Sequence, residues 1–78
     1  MTNRLTKREK EILILILQDN SSQSIATQLG LSIRTVETHR KHIIKKTDSK
    51  SLISLFKYAI QSGLMTDYYY KRLKTENT

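Results

Sequence analysis

Apolar and polar positions along this chain fall into four short blocks of helical spacing, separated by polar breaks. The first block opens at Thr6, whose hydroxyl can cap exposed backbone N–H groups, and Glu9 three residues later completes a capping box. The run Ile12-Leu13-Ile14-Leu15-Ile16-Leu17 would also suit a buried strand. The capping box and the charged turn Lys7-Arg8-Glu9-Lys10-Glu11 decide for a helix over 7–18. Leu5 finds no apolar partner at Lys10 or Glu11, so no hydrophobic staple is expected.

Asp19-Asn20-Ser21 breaks the pattern, and Ser21 or Ser22 can cap a second helix over 22–29 with Ile25, Ala26 and Leu29 on one face. Gly30 stands where a left-handed cap is wanted, and Leu31 follows to supply its apolar contact. Ser32 then caps a third helix over 33–46. Two helices joined by a few residues around a glycine form a helix-turn-helix pattern.

Stepping around the third helix by about 100° per residue gathers Ile33, Val36, Ile43 and Ile44 on an expected core face. Arg34, Glu37, Thr38, Lys41, His42 and Lys45 fill the opposite arc. His39 borders the core arc, and Arg40 lies near it with a stem that can run along apolar surface. Asp48-Ser49 is expected to end this helix and cap a fourth over 50–62, with Leu52, Leu55, Phe56, Ala59 and Ile60 on its apolar side and Gly63-Leu64 closing it. The pattern dissolves after Met65, so a domain over 1–65 and a flexible tail over 66–78, with Tyr68-Tyr69-Tyr70 and three basic residues, are expected. The fold class is all-α: a four-helix bundle containing a helix-turn-helix.

Composition narrows the function classes. The chain has 78 residues, one small domain with no room for a cleft between lobes. Fourteen Lys and Arg against seven Asp and Glu give a formal charge of +7, which suits a polyanion: nucleic acid first, an acidic membrane surface second. The six-residue run from Ile12 to Leu17 falls far short of the ~18–20 apolar residues of a membrane span, and Gln18-Asp19-Asn20 is wrong for a signal peptide. Cysteine is absent, which excludes disulfides and thiolate metal sites and fits a reducing interior. No Ser/His/acid set, Gly-rich phosphate loop or carboxylate pair is present, so no enzyme, catalytic residue or cofactor is expected. His39 and His42 share one helix, but no cysteine or well-placed carboxylate joins them, so no metal is expected either.

The residues Leu5-Thr6, Arg8-Glu9, Ile12-Leu13, Ile25-Ala26, Leu29, Ser32, Thr35-Val36, His39, Ile43, Lys46, Tyr58-Ala59-Ile60 and Gly63-Leu64 resemble the LuxR-type helix-turn-helix output domain of bacterial regulators. The match runs without a gap from Leu5 to about Met65. The resemblance implies that the third helix enters the major groove of double-stranded DNA, with Glu37, Thr38 and Lys41 at the base-facing positions. The helical spacing separately places those three on the solvent arc. Lys can donate to guanine, the Thr38 methyl can meet a thymine methyl, and Glu37, which phosphate would repel, can accept from a cytosine amine. Arg34, Thr35, Lys45, Lys46 and Ser22 are expected at phosphate, where they add affinity without sequence information.

The resemblance also implies a homodimer on DNA through the fourth helix, here through Leu52, Leu55 and Phe56. It implies further a cytoplasmic, nucleoid-associated regulator whose receiver or sensor domain lies outside this chain. The chain departs from the family's pattern at Asp19, near which the family commonly has Gly, and at Thr47-Asp48-Ser49, where it has an apolar-Gly-apolar trio. Leu52 stands where many members carry Arg or Lys. The competing function is a protein-interaction module that keeps the scaffold without DNA binding, and Glu37 is the residue that favours it. The outer basic face can also be no more than a solvated surface, and Ile14 and Leu17 can either pack in the core or meet another domain.

Overall fold

A residue in the left-handed region follows every one of the four helices, Asp19, Gly30, Asp48 and Gly63, and at the first three ends the same hydrogen bond closes a short connection. The computed structural model describes residues 4–64. The tail expected over 66–78 lies outside them. The described residues form α1 (Lys7–Leu17), α2 (Ser22–Leu29), α3 (Ile33–Thr47) and α4 (Leu52–Gln61), with no strand among them.

Each start is a hydroxyl cap. The Thr6 hydroxyl accepts from the Glu9 amide at 3.1 Å, and the Thr6 amide donates to Glu9 Oε1 at 2.8 Å, closing the expected capping box. Ser21, not Ser22, caps α2, and Ser32 caps α3. The fourth helix differs from expectation: it starts at Leu52 and its cap is Ser51, which accepts from the Ser54 amide at 3.1 Å. Asp48-Ser49 cannot serve because both residues are used in ending α3.

At each of the three ends a left-handed residue lets the following amide reach back to the carbonyl five residues earlier. Asp19 (φ 69°) does so for Asn20 to Leu15 at 3.2 Å, Gly30 (φ 67°) for Leu31 to Ala26 at 2.9 Å, and Asp48 (φ 53°) for Ser49 to Ile44 at 3.1 Å. Glycine adopts this backbone freely, whereas an L residue is strained there. Asp48 thus takes the turn that the resemblance assigned to glycine. The flanking apolar pair of that pattern is replaced by two hydroxyls. Thr47 Oγ1 donates to the Ile43 carbonyl at 2.8 Å, so the buried Ser49 hydroxyl donates to Thr47 Oγ1 across 2.7 Å.

The core lies where α1 meets α2 and α3, with α4 packed on α1 and α3. Ile12, Leu13, Ile25, Val36 and Ile43 are its largest fully buried side chains. Leu5 joins this cluster although it has no staple partner, because it packs against the core directly. Leu31 is partly buried and packs against the core, as Leu15, Leu17 and Leu29 do. The expected core face of α3 is narrower than the spacing suggested. Val36 and Ile43 are buried, but Ile33 is 48% and Ile44 43% exposed. The stripe points along Val36 and Ile43, so the residues at its rim stay in solvent.

One charged side chain is buried among the described residues: Glu9, 3% exposed. Lys46 at the far end of α3 reaches it with Nζ at 2.9 and 3.2 Å from the two carboxylate oxygens. Burial alone would raise the Glu9 carboxyl. The hydrogen bonds from Lys46 and Thr6, with the Lys46 charge, outweigh it and hold the group below its ordinary value of 4.5.

Two outcomes follow from these contacts. Replacing Asp48 or Asp19 by glycine is expected to raise stability in urea unfolding by about 0.5–1 kcal/mol each, by relieving the left-handed strain and removing an acid from a helix C-terminus. Equal or lower stability would mean that the aspartate side chains contribute something at these ends. Because the Glu9 carboxyl is depressed, its contribution is complete above pH 4.5 and is lost as pH falls through its lower folded-state value. Glu9→Gln should cost about 1–3 kcal/mol at pH 7, and its stability should fall less than the native chain's on acidification. Parallel curves for the two chains would rule out this role.

Candidate nucleic-acid interface

The α2–turn–α3 unit presents α3 because its connection is short and closed at both ends by hydrogen bonds. Gly30 ends α2, and Ser32 begins α3 by accepting from the Thr35 amide at 3.0 Å. The Ser32 hydroxyl donates to Thr35 Oγ1 at 2.9 Å, so the proton of Thr35 itself points away from the cap and is free to donate elsewhere. Gly30 has open space around it, so its requirement is one of backbone angle and not of crowding.

With Val36 and Ile43 inside, the opposite arc of α3 is in solvent: Arg34, Glu37, Thr38, Lys41, His42 and Lys45 are all exposed. Arg34, Lys41 and Lys45 form no ion pair among the described residues, whose two salt bridges are Arg8–Glu11 and Lys46–Glu9. Their charge is therefore uncommitted. The three expected base-facing residues, Glu37, Thr38 and Lys41, share this face, with Arg34 and Lys45 beside them.

Lys46 does not join them. Its ammonium is held on buried Glu9, on the flank of α3 that faces the start of α1. Detaching it would leave a buried carboxylate uncompensated, a cost of several kcal/mol in typical cases, so this ion pair competes with the phosphate role expected of Lys46. Ser22 is half-buried in the first turn of α2, and Ser21 beside it is exposed. His39 is half-buried, with Nδ1 enclosed and without a hydrogen-bond partner, whereas His42 is exposed. Among the described residues no three His, Cys, Asp or Glu side chains group as metal ligands would.

A polar network missed from the sequence fixes α2 on α1. Asn20 Nδ2 donates to the Leu15 carbonyl at 2.9 Å, while its Oδ1 accepts from Ser24 and Gln28 at 3.1 Å each. Gln28 also donates to the Ser24 hydroxyl at 3.0 Å. The spacing of Ser24 and Gln28 along one helix face was visible, but Asn20 gave no signal beyond that of a turn residue.

On α4, Leu55 is 5% exposed and belongs to the core, so it is not available to a dimer interface. Leu52 is exposed and Phe56 half-buried, beside Ile53, which is 70% exposed. These three and Leu17 line a shallow apolar groove of about 190 Å³. Ile53 was left unassigned when Leu52, Leu55, Phe56, Ala59 and Ile60 were placed on the apolar side of this helix. Centring the helix on buried Leu55 and Ala59 turns Ile53 outward.

The chain's residues 3–59 match the family model described as bacterial regulatory proteins, luxR family. The chain is 50% identical over 64 residues to the response regulatory protein YgeK of Escherichia coli K12, covering 82% of this chain and 44% of that protein. It is 44% identical over 61 residues to the oxygen regulatory protein NreC of Staphylococcus haemolyticus, covering 78% and 28%. Against the transcriptional regulatory protein MctR of Rhizobium johnstonii the identity is 40% over 62 residues, covering 80% and 29%. The fold superposes on VqmA of Vibrio cholerae in a crystal structure of a VqmA–ligand–DNA complex, with a TM-score of 0.68, 36% identity, and coverage of 82% of this chain and 28% of that one. The chain thus spans less than half the length of these relatives. A family model matching most of the chain, relatives named as regulatory proteins and an all-α fold built on a helix-turn-helix lead to one conclusion: the chain belongs to the LuxR family of bacterial regulatory proteins.

Proposed function

We propose that this domain binds double-stranded DNA with sequence preference, as the DNA-contacting part of a longer cytoplasmic regulator of transcription. The observation that carries it is the outer face of α3, where three exposed cations without ion-pair partners among the described residues stand around short and polar side chains on a helix projected by a glycine turn. Such a helix fits the major groove in width and supplies the charges that displace counterions from phosphate. Lys41 reads guanine, Thr38 makes an apolar contact, and Glu37 is the third base-facing residue. Arg34, Lys45, the free proton of Thr35 and the start of α2 at Ser22 serve phosphate. A receiver domain elsewhere in the regulator is in keeping with the response-regulator relatives. Leu52, Phe56 and Ile53 are the surface through which two copies pair on DNA.

Selection of bound sequences from a random duplex pool, followed by titrations at several salt concentrations, tests this directly. Lys41→Ala is expected to relax preference at one base position and to cost about 1–3 kcal/mol on the selected site. Lys45→Ala should weaken selected and random duplexes alike and lower the salt slope by about one. If Lys41→Ala weakened all duplexes equally, its base-reading role would be wrong. Absence of duplex binding at low salt would leave the protein-interaction module as the function of this scaffold.

A further inference from the structure

The fourth helix end departs from the other three. Gly63 is left-handed at φ 81°, but the amide after it does not reach back five residues. The Ser62 hydroxyl donates to the Ala59 carbonyl instead, at 3.3 Å, and the Leu64 amide has no hydrogen-bond partner among the described residues. Leu64 lines a cavity of about 460 Å³ between the start of α1 and the end of α4, with Arg4, Leu5, Lys10, Tyr58 and Ser62. That volume falls within the range of about 300–1,000 Å³ typical of small-ligand sites.

The polar groups of this lining are donors without partners. Arg4 and Lys10 are exposed and make no ion pair among the described residues, whose salt bridges are Arg8–Glu11 and Lys46–Glu9. The carbonyls of Tyr58, Ala59 and Ile60 at the end of α4 accept from Ser62 and Gly63 and from neither cation. The half-buried Tyr58 hydroxyl has no hydrogen-bond partner among the described residues either. No acidic side chain is among the described residues of the lining, so an anion is what the set matches. Two cations suit a phosphomonoester, which carries about −1.5 to −2 at neutral pH, better than a carboxylate of charge −1. The guanidinium fork fits two phosphate oxygens and the ammonium acts as a point charge. Leu5, Leu64 and the Tyr58 ring add apolar surface that a bare phosphate would leave unused.

We propose that this cavity binds a small organic phosphate. Arg4 and Lys10 hold its charged oxygens, the Tyr58 hydroxyl and the Leu64 amide donate to it, and its organic part lies against Leu5 and Tyr58. The site draws on the start of the chain, α1 and α4 and not on the outer arc of α3, so it does not rest on the DNA-binding reading.

Titrating the isotopically labelled full chain with phenyl phosphate at constant ionic strength tests the proposal. Resonances of Arg4, Lys10 and Leu64 should move along one saturating curve, at lower concentration than those of Arg34, Lys41 and Lys45. Arg4→Gln and Lys10→Gln should each raise the dissociation constant about tenfold, as loss of a hydrogen bond to a charged group does, while Lys10→Arg retains binding. Tyr58→Phe keeps the ring and should weaken binding less. Both cations are exposed, so thermal melting should be the same in the native chain and their variants. Benzoate, with one charge, and inorganic phosphate, with no ring, should bind more weakly than phenyl phosphate. Shifts spread evenly over the exposed cations, or variants that bind like the native chain, would overturn the site and leave only general attraction to a chain of charge +7. Benzoate or inorganic phosphate bound as tightly would overturn the class of ligand. Displacement of phenyl phosphate by duplex DNA would assign the cavity to the DNA backbone and overturn a small-ligand site.

Discussion

The buried carboxylate of Glu9 is the contact on which the arrangement of this domain depends. It closes the cap of α1 through Thr6 and holds Lys46 from the end of α3, so one side chain ties the first turn of the first helix to the last turn of the third. An ion removed from water is tolerated only when its oxygens are satisfied. Here the backbone amide, and the ammonium on both oxygens, satisfy them. Val36 and Ile43 fix the rotation of α3 from the inside, each worth roughly 1.5–3 kcal/mol by burial, whereas an exposed ion pair such as Arg8–Glu11 is worth about 0–1 kcal/mol. Packing and the buried pair therefore decide which way α3 faces, and its surface charges are left in solvent.

The local signals in the sequence were legible because they act over three or four residues. The Thr6–Glu9 box, the Ser32 cap and the Gly30 turn all stand where side-chain chemistry placed them. Asp48 was harder to read, because aspartate favours helix starts as well as left-handed ends, and only the closing hydrogen bond from Ser49 to Ile44 selects the second use. The start of α4 moved to Leu52 for the same reason.

What the sequence concealed is non-local. Glu9 and Lys46 lie 37 residues apart, and no periodicity brings a helix-start glutamate to a helix-end lysine. Lys46 therefore looked like one more cation for phosphate. Leu55 looked like an interface residue because helical spacing shows an apolar side without showing how far a neighbour covers it; α1 and α3 cover Leu55 and leave Ile53 outside. Ile33 and Ile44 erred in the opposite direction, on a face too broad for the helices that pack there. The outer arc of α3 was legible because its whole content is polar or charged.

In the proposed function, the outer arc of α3 is the surface that meets DNA. Titrating the isotopically labelled domain with a selected duplex, and following each backbone and side-chain resonance, tests it most directly. The largest changes are expected at Arg34, Glu37, Thr38, Lys41 and Lys45, while the Lys46 ammonium stays on Glu9. Changes confined to the groove of Leu17, Leu52, Ile53 and Phe56, with α3 unmoved, would contradict the account.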